Sequence, residues 1–196
     1  RAREAVARLR ACNVGLVGHV FRGMYDLEFD RGSVRGCLGP EVISVQAEHL
    51  IDLWRDVAED EVRVRARSLT DRFKVRNVTP PDIARSVRLG LAMERLSTRY
   101  KLDGLCFLGQ HHIEKMTGAP ARIGASMMME SGFMVACEGD VGGLVMMQLM
   151  RDLTGRAPVQ MEWGQFDVKN NALFLLGHGI ASPDVASESA GVTLTR

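Results

Sequence analysis

Aromatic side chains are scarce: two tryptophans, two tyrosines and seven phenylalanines, 6% of the chain. A module that grips a sugar by ring stacking has little to work with, and Trp54 and Trp163 lie far apart in the sequence. Cysteine is also sparse. Cys12, Cys37, Cys106 and Cys137 form no CxxC pair, which argues against a zinc knuckle or a disulfide framework. Cys12, Cys106 and Cys137 sit in apolar runs and are expected to be buried free thiols of a reducing cytoplasm. Net charge is nearly absent, +1 from 25 basic and 24 acidic residues, so there is no general pull toward nucleic acid or an anionic membrane. Arg63, Arg65 and Arg67 are offset by Glu59, Asp60 and Glu61, and no aromatics interleave to stack on bases. A solvated face is expected there. No apolar run approaches the roughly 18 residues of a membrane span, and no signal peptide, internal repeat or low-complexity segment is visible.

What is present is alternation. The 196 residues, 46% hydrophobic, suffice for one sizeable core, or for one domain and part of another. Arg1–Arg10 reads as an amphipathic helix and Asn13–Val20 as a strand ending near His19, which could face a ligand. Residues 23–39 read as a loop, Glu41–Val45 as a strand and Ala47–Ala58 as a helix. Val62–Ala66, alternating valine and arginine, fits either a half-exposed strand or a helix end. Thr79-Pro80-Pro81-Asp82 has the features of a helix start, and the helix runs to Tyr100. Leu102–Leu108 reads as a strand, followed by a polar loop with Gln110, His111 and His112. Ile123–Ser131 reads as a helix. Strands alternating with helices predict an α/β fold, a doubly wound, mostly parallel sheet of the Rossmann or flavodoxin type. The alternation stops at Gly155. Residues 1–155 are therefore expected to form an α/β domain, and residues 156–196 the first strands of a β-rich C-terminal domain with an extended tail that pairs outside the chain.

The stretch from Phe133 to His178 carries the chemistry. Phe133–Cys137 is a short apolar run, broken by Glu138-Gly139-Asp140. A Met-rich helix follows and stops at Thr154-Gly155. An extended run from Pro158 reaches Glu162, and a third apolar run, Ala172–Leu176, precedes His178. Ligands of open α/β sheets collect beyond the carboxyl ends of strands, and Glu138, Glu162 and His178 are expected at such ends. Two carboxylates and an imidazole suit Mn²⁺, Mg²⁺, Fe²⁺ or Zn²⁺, with Mn²⁺ favoured by the oxygen donors. A phosphate cradle at GDVGG is disfavoured, because Glu138 and Asp140 would repel the anion.

ACEGDV, the MEW that contains Glu162 and the NNALFLLGH that ends at His178 together resemble the arabinose isomerase/fucose isomerase superfamily. That resemblance implies a Mn²⁺-dependent interconversion of an aldose and its ketose through an enediolate. It implies Glu138 and Glu162 as metal ligands that also move the proton, in undecided order, and His178 as a third ligand. Gln110 and His111, with His19, would line the sugar side, Glu114 would belong to the same rim, and Asp140 or Asp167 would support the ligands. It further implies a small-molecule sugar substrate, no nucleic-acid or membrane partner and a homo-oligomeric full-length enzyme. The chain is then expected to be an internal fragment, lacking the family's first domain and a later metal-binding His, and inactive alone. The competing reading is a non-catalytic sugar-binding α/β module, a sensor or periplasmic-type receptor.

Overall fold

The computed structural model describes residues 1–107 and 112–195. In chain order the elements are α1 (Ala2–Ala11), β1 (Asn13–Val17), α2 (Arg31–Ser33), β2 (Glu41–Val45), α3 (Ala47–Arg55), α4 (Glu59–Arg72), β3 (Lys74–Arg76), α5 (Pro80–Tyr100), β4 (Gly104–Phe107), α6 (Glu114–Thr117), α7 (Arg122–Glu130), β5 (Met134–Cys137), α8 (Val141–Thr154), β6 (Met161–Asp167), β7 (Ala172–Gly177) and β8 (Thr193–Thr195).

β1, β2, β4 and β5 form one parallel sheet in the order β2-β1-β4-β5. Strands of such a sheet are covered on both faces and read as unbroken apolar runs. Val14, Leu16, Val17, Leu105, Cys106, Phe107, Met134, Val135 and Ala136 are all buried. The winding reverses between β1 and β4, which makes the gap beyond their carboxyl ends the natural ligand crevice. Helices form two groups. α8 packs on α1 and against β1, β4 and β5, whereas α5 packs on α3, α4 and α7. The reversal of winding places the groups on opposite faces of the sheet. The fold class read from the sequence holds.

The longest helix, α5, begins in a full capping box. Thr79 and Asp82 exchange side-chain and backbone hydrogen bonds, with prolines in the first turn. Its core face buries Ile83, Val87, Leu89, Met93 and Leu96, each contributing roughly 2 kcal/mol of burial. The Val62–Ala66 alternation resolves as helix inside α4, with Val62 and Leu69 inward. Its arginines turn to neighbouring acids: Arg65 donates two hydrogen bonds to Glu94 of α5, Arg63 pairs with Asp60, and Arg67 lies 3.8 Å from Asp71. The local positive charge is thereby spent within the molecule.

Two expectations need correction. Residues 31–38, read as loop, form a helical turn and a π-type turn. Asp30 starts them by accepting hydrogen bonds from the Gly32 and Ser33 amides. The extended tail, expected to pair outside the chain, instead returns as β8 and pairs in parallel with β3. β3 and β8 are three residues each, too short for a periodicity to be visible. β6 and β7 form a separate antiparallel hairpin whose side chains are mostly exposed.

α5 and α7 cross with backbones in contact. A Cβ on Gly90 would stand 2.6 Å from Gly124 Cα, so neither helix can carry a side chain there. Gly124→Ala is expected to cost about 2–3 kcal/mol by overpacking, read from denaturant unfolding. A change under a few tenths would mean that the helices part easily. The thiols give a second check. Burial pushes the Cys12 thiol up to about 11 and the Cys137 thiol up to about 12, and raises that of Cys106 further still, whereas Cys37 is exposed. Cys137, expected to be buried, is half-buried; a thiol reagent at pH 8 should titrate Cys37 rapidly, Cys137 slowly, and Cys12 and Cys106 only in denaturant, and a second fast equivalent in the native protein would contradict this.

Candidate metal centre

The centre is assembled from a turn, a hairpin and the loop after it. β5 ends at Cys137, and Glu138 and Gly139 both take left-handed backbone, φ 63° and 72°. This conformation costs a residue with a side chain about 1–2 kcal/mol. Two of the contacts that hold the turn come from the chain leaving β1. Phe21 N–H donates to the Glu138 carbonyl at 2.9 Å. Gly139 lies on the chain leaving β1: a Cβ would sit 2.8 Å from the His19 carbonyl oxygen and 2.8 Å from Val20 Cα. Asp140 then caps α8, accepting from Gly143 N–H at 2.7 Å. Gly142 lies under the Phe29 ring and Gly143 under the Asp140 carboxylate, where any side chain would collide. The GDVGG segment is thus a self-capped helix start, one of its first-turn amides, that of Gly143, already taken by a carboxylate.

Glu162 and His178 arrive by a different route from the one expected. Glu162 is the second residue of β6, not the end of a strand, and His178 directly follows β7. The antiparallel register sets Met161 opposite Gly177 and Glu162 opposite Leu176. The start of one strand and the end of the other therefore coincide in space. Only Glu138 sits at a carboxyl end of the parallel sheet. Beyond His178, Gly179 is left-handed and Ile180, 5% exposed, plugs into the core. That anchor fixes where the imidazole emerges.

The three side chains meet. Their ligand-type atoms all lie within 4.8 Å of one another. His178 stands between the acids, Nε2 3.3 Å from Glu162 Oε1 and Nδ1 3.9 Å from Glu138 Oε1. The side chains of Glu138 and His178 are 12% and 11% exposed, against 44% for Glu162, so desolvation falls on Glu138. Burial raises its carboxyl above the ordinary range; His178 opposes the rise, and Glu162 and Asp140 add to it. Two carboxylates facing one imidazole leave negative charge in excess, and a divalent cation is the species that would neutralise it. The donor set, two carboxylate oxygens and one imidazole nitrogen, fits Mn²⁺, Mg²⁺, Fe²⁺ or Zn²⁺. A recess of about 30 Å³, bounded by Phe107, Arg122, Cys137, Glu138, His178 and Ile180, adjoins the cluster.

The remaining sequence candidates divide. His19 is exposed on the loop after β1, beside the Gly139 turn. Its Nδ1 donates to the Val20 carbonyl at 2.6 Å. Together with Gln46, Glu48 and His112 it lines a groove of about 380 Å³, where His112 Nε2 is 4.0 Å from Glu48 Oε1. Gln110 and His111 lie outside the described residues. Glu114 borders the small recess. Asp167 is occupied by Asn170, at the far end of the hairpin from Glu162, and does not support the cluster. Sequence reasoning missed Gln160, which hydrogen-bonds Cys137 N–H and the Asp140 carboxylate. A single glutamine before a strand carries no pattern by which to find it.

No protein-family model matches the chain. It is similar to a sulfoquinovose isomerase of Alkalicoccus urumqiensis, 23% identical over 192 residues, covering 97% of this chain and 43% of that protein. The chain thus spans less than half the length of the relative it matches. The similarity is to a sugar isomerase, a coarser assignment than the arabinose/fucose branch suggested by the motifs.

Proposed function

We propose that this chain supplies a divalent-metal centre, with Mn²⁺ the favoured ion, to an enzyme that interconverts an aldose and its ketose. The observation that carries the reading is the convergence of Glu138, Glu162 and His178, with ligand-type atoms within 4.8 Å of one another. Similarity to a sugar isomerase supports the reaction class. Glu138, Glu162 and His178 would hold the ion. Once bound, it would polarise the sugar oxygens and stabilise negative charge developing between C1 and C2. One carboxylate takes the proton from the carbon beside the carbonyl, and the other handles the hydroxyl proton. The groove beside His19 and His112 lies next to the Gly139 turn and is the proposed place for the rest of the sugar.

Glu138→Gln keeps the shape of the side chain and removes its charge. In the full-length protein it should abolish aldose–ketose turnover and sharply weaken Mn²⁺ binding while the circular dichroism is unchanged; retained turnover would reject the assignment. The pH behaviour has a defined sign. Because the folded carboxyl of Glu138 lies above its ordinary 4.5, the metal-free protein has its full contribution below that value and loses it as pH rises through the raised one. A bound cation requires the carboxylate, so Mn²⁺ affinity should rise across the same window. Calorimetric titrations at several pH values test this, and an affinity independent of pH there would remove Glu138 from the ligand set.

A further inference from the structure

The amide of Gln160 bridges the two sides of the turn that presents Glu138. Its Oε1 accepts from Cys137 N–H at 2.9 Å, and its Nε2 donates to Asp140 Oδ2 at 3.1 Å. The orientation is dictated by chemistry. A backbone N–H needs an acceptor and a carboxylate needs a donor, so the flipped amide would set like against like at both ends. The two bonded residues flank Glu138 and Gly139, the pair held in left-handed backbone. Asp140 is in turn fixed at the α8 N-terminus by Gly143 N–H. Gln160 is also two residues ahead of Glu162 in the chain. One side chain therefore ties the backbone carrying one acid to the backbone carrying the other.

We propose that Gln160 is a positioning residue of the metal centre, locking the Glu138–Asp140 turn in register with β6 so that Glu138 and Glu162 face a common point with His178. The proposal rests on the metal-centre reading above. Among the described residues β5 is the last strand of its sheet, and the Cys137 N–H finds its acceptor in Gln160 rather than in a neighbouring strand. A simple edge cap would need only the acceptor. The second bond, to the residue that starts α8, is what couples the turn to the β6–β7 hairpin.

The test exchanges donor for acceptor. Gln160→Glu keeps an acceptor for Cys137 N–H but sets a carboxylate against Asp140. The double variant Asp140→Asn/Gln160→Glu restores a donor facing an acceptor, and the amide oxygen introduced by Asp140→Asn still caps α8. In the full-length protein Gln160→Glu should weaken Mn²⁺ binding about tenfold, the usual size for a group that orients metal ligands, and the double variant should recover most of that loss. Wild-type affinity in Gln160→Glu, or a double variant no better than Gln160→Glu, overturns the positioning role. A wild-type protein that binds no Mn²⁺ rejects the metal reading instead. Amide exchange then decides the positioning claim: in Gln160→Met the Cys137 and Glu138 amides should exchange about fivefold faster, and unchanged exchange overturns it.

Discussion

The chain leaving β1 and the chain leaving β5 touch where Gly139 rests on the His19–Val20 backbone, with no room for a single carbon between them. The hydrogen bond from Phe21 N–H to the Glu138 carbonyl closes the same contact. A left-handed Glu138 is unfavourable by about 1–2 kcal/mol, roughly what one or two net hydrogen bonds return. The turn, closed within itself by Asp140 N–H to the Cys137 carbonyl at 3.1 Å, is left with little margin of its own. It stands because the sheet behind it is rigid: Leu105, Cys106, Met134 and Ala136 are wholly enclosed, and each large apolar side chain there adds about 2 kcal/mol. Core packing fixes the strands, the strands fix the backbone contact, and the contact aims the carboxylate.

Electrostatics in the cluster run against the fold in the absence of a cation. Glu138 loses solvent and faces Glu162, while His178 opposes the rise of its carboxyl. A purely structural site would be served better by one acid and one base. Burial, and then the charge of a second acid, raise the carboxyl of Glu138, a cost that a cation bound as proposed would offset. The hairpin that delivers Glu162 and His178 is lightly anchored, with Trp163, Phe166, Phe174 and Leu175 exposed. Ile180, packed in the core, and Gln160, bonded to the turn, tie it to the α/β body at the end where the cluster forms.

The arginines of α4 and α5 are paired with acids across elements. Arg65, Arg72, Arg88 and Arg95 each reach an acid on another element, Glu94, Glu130, Glu59 and Glu61. Such pairs contribute little individually at a surface. Their effect is to stitch α4 to α5 and α7.

Sequence alone determined the elements with strong local physics. The capping box at Thr79–Asp82, the apolar runs of β1, β4 and β5 and the glycine stop after α8 were all legible, because capping, burial and left-handed backbone act within a few residues. The parallel sheet and the identity of the three converging side chains were also within reach, since alternation and motif spacing survive in one dimension; the strand order was not. What only the tertiary structure decided is how those side chains meet. Glu162 was expected at the end of a strand and stands near the start of one, because antiparallel register rather than a carboxyl edge brings it beside His178. The return of β8 to β3, and the amide of Gln160 across the turn, depend on partners far away in the chain. A linear pattern cannot encode a contact whose geometry exists only after the sheet has closed around it.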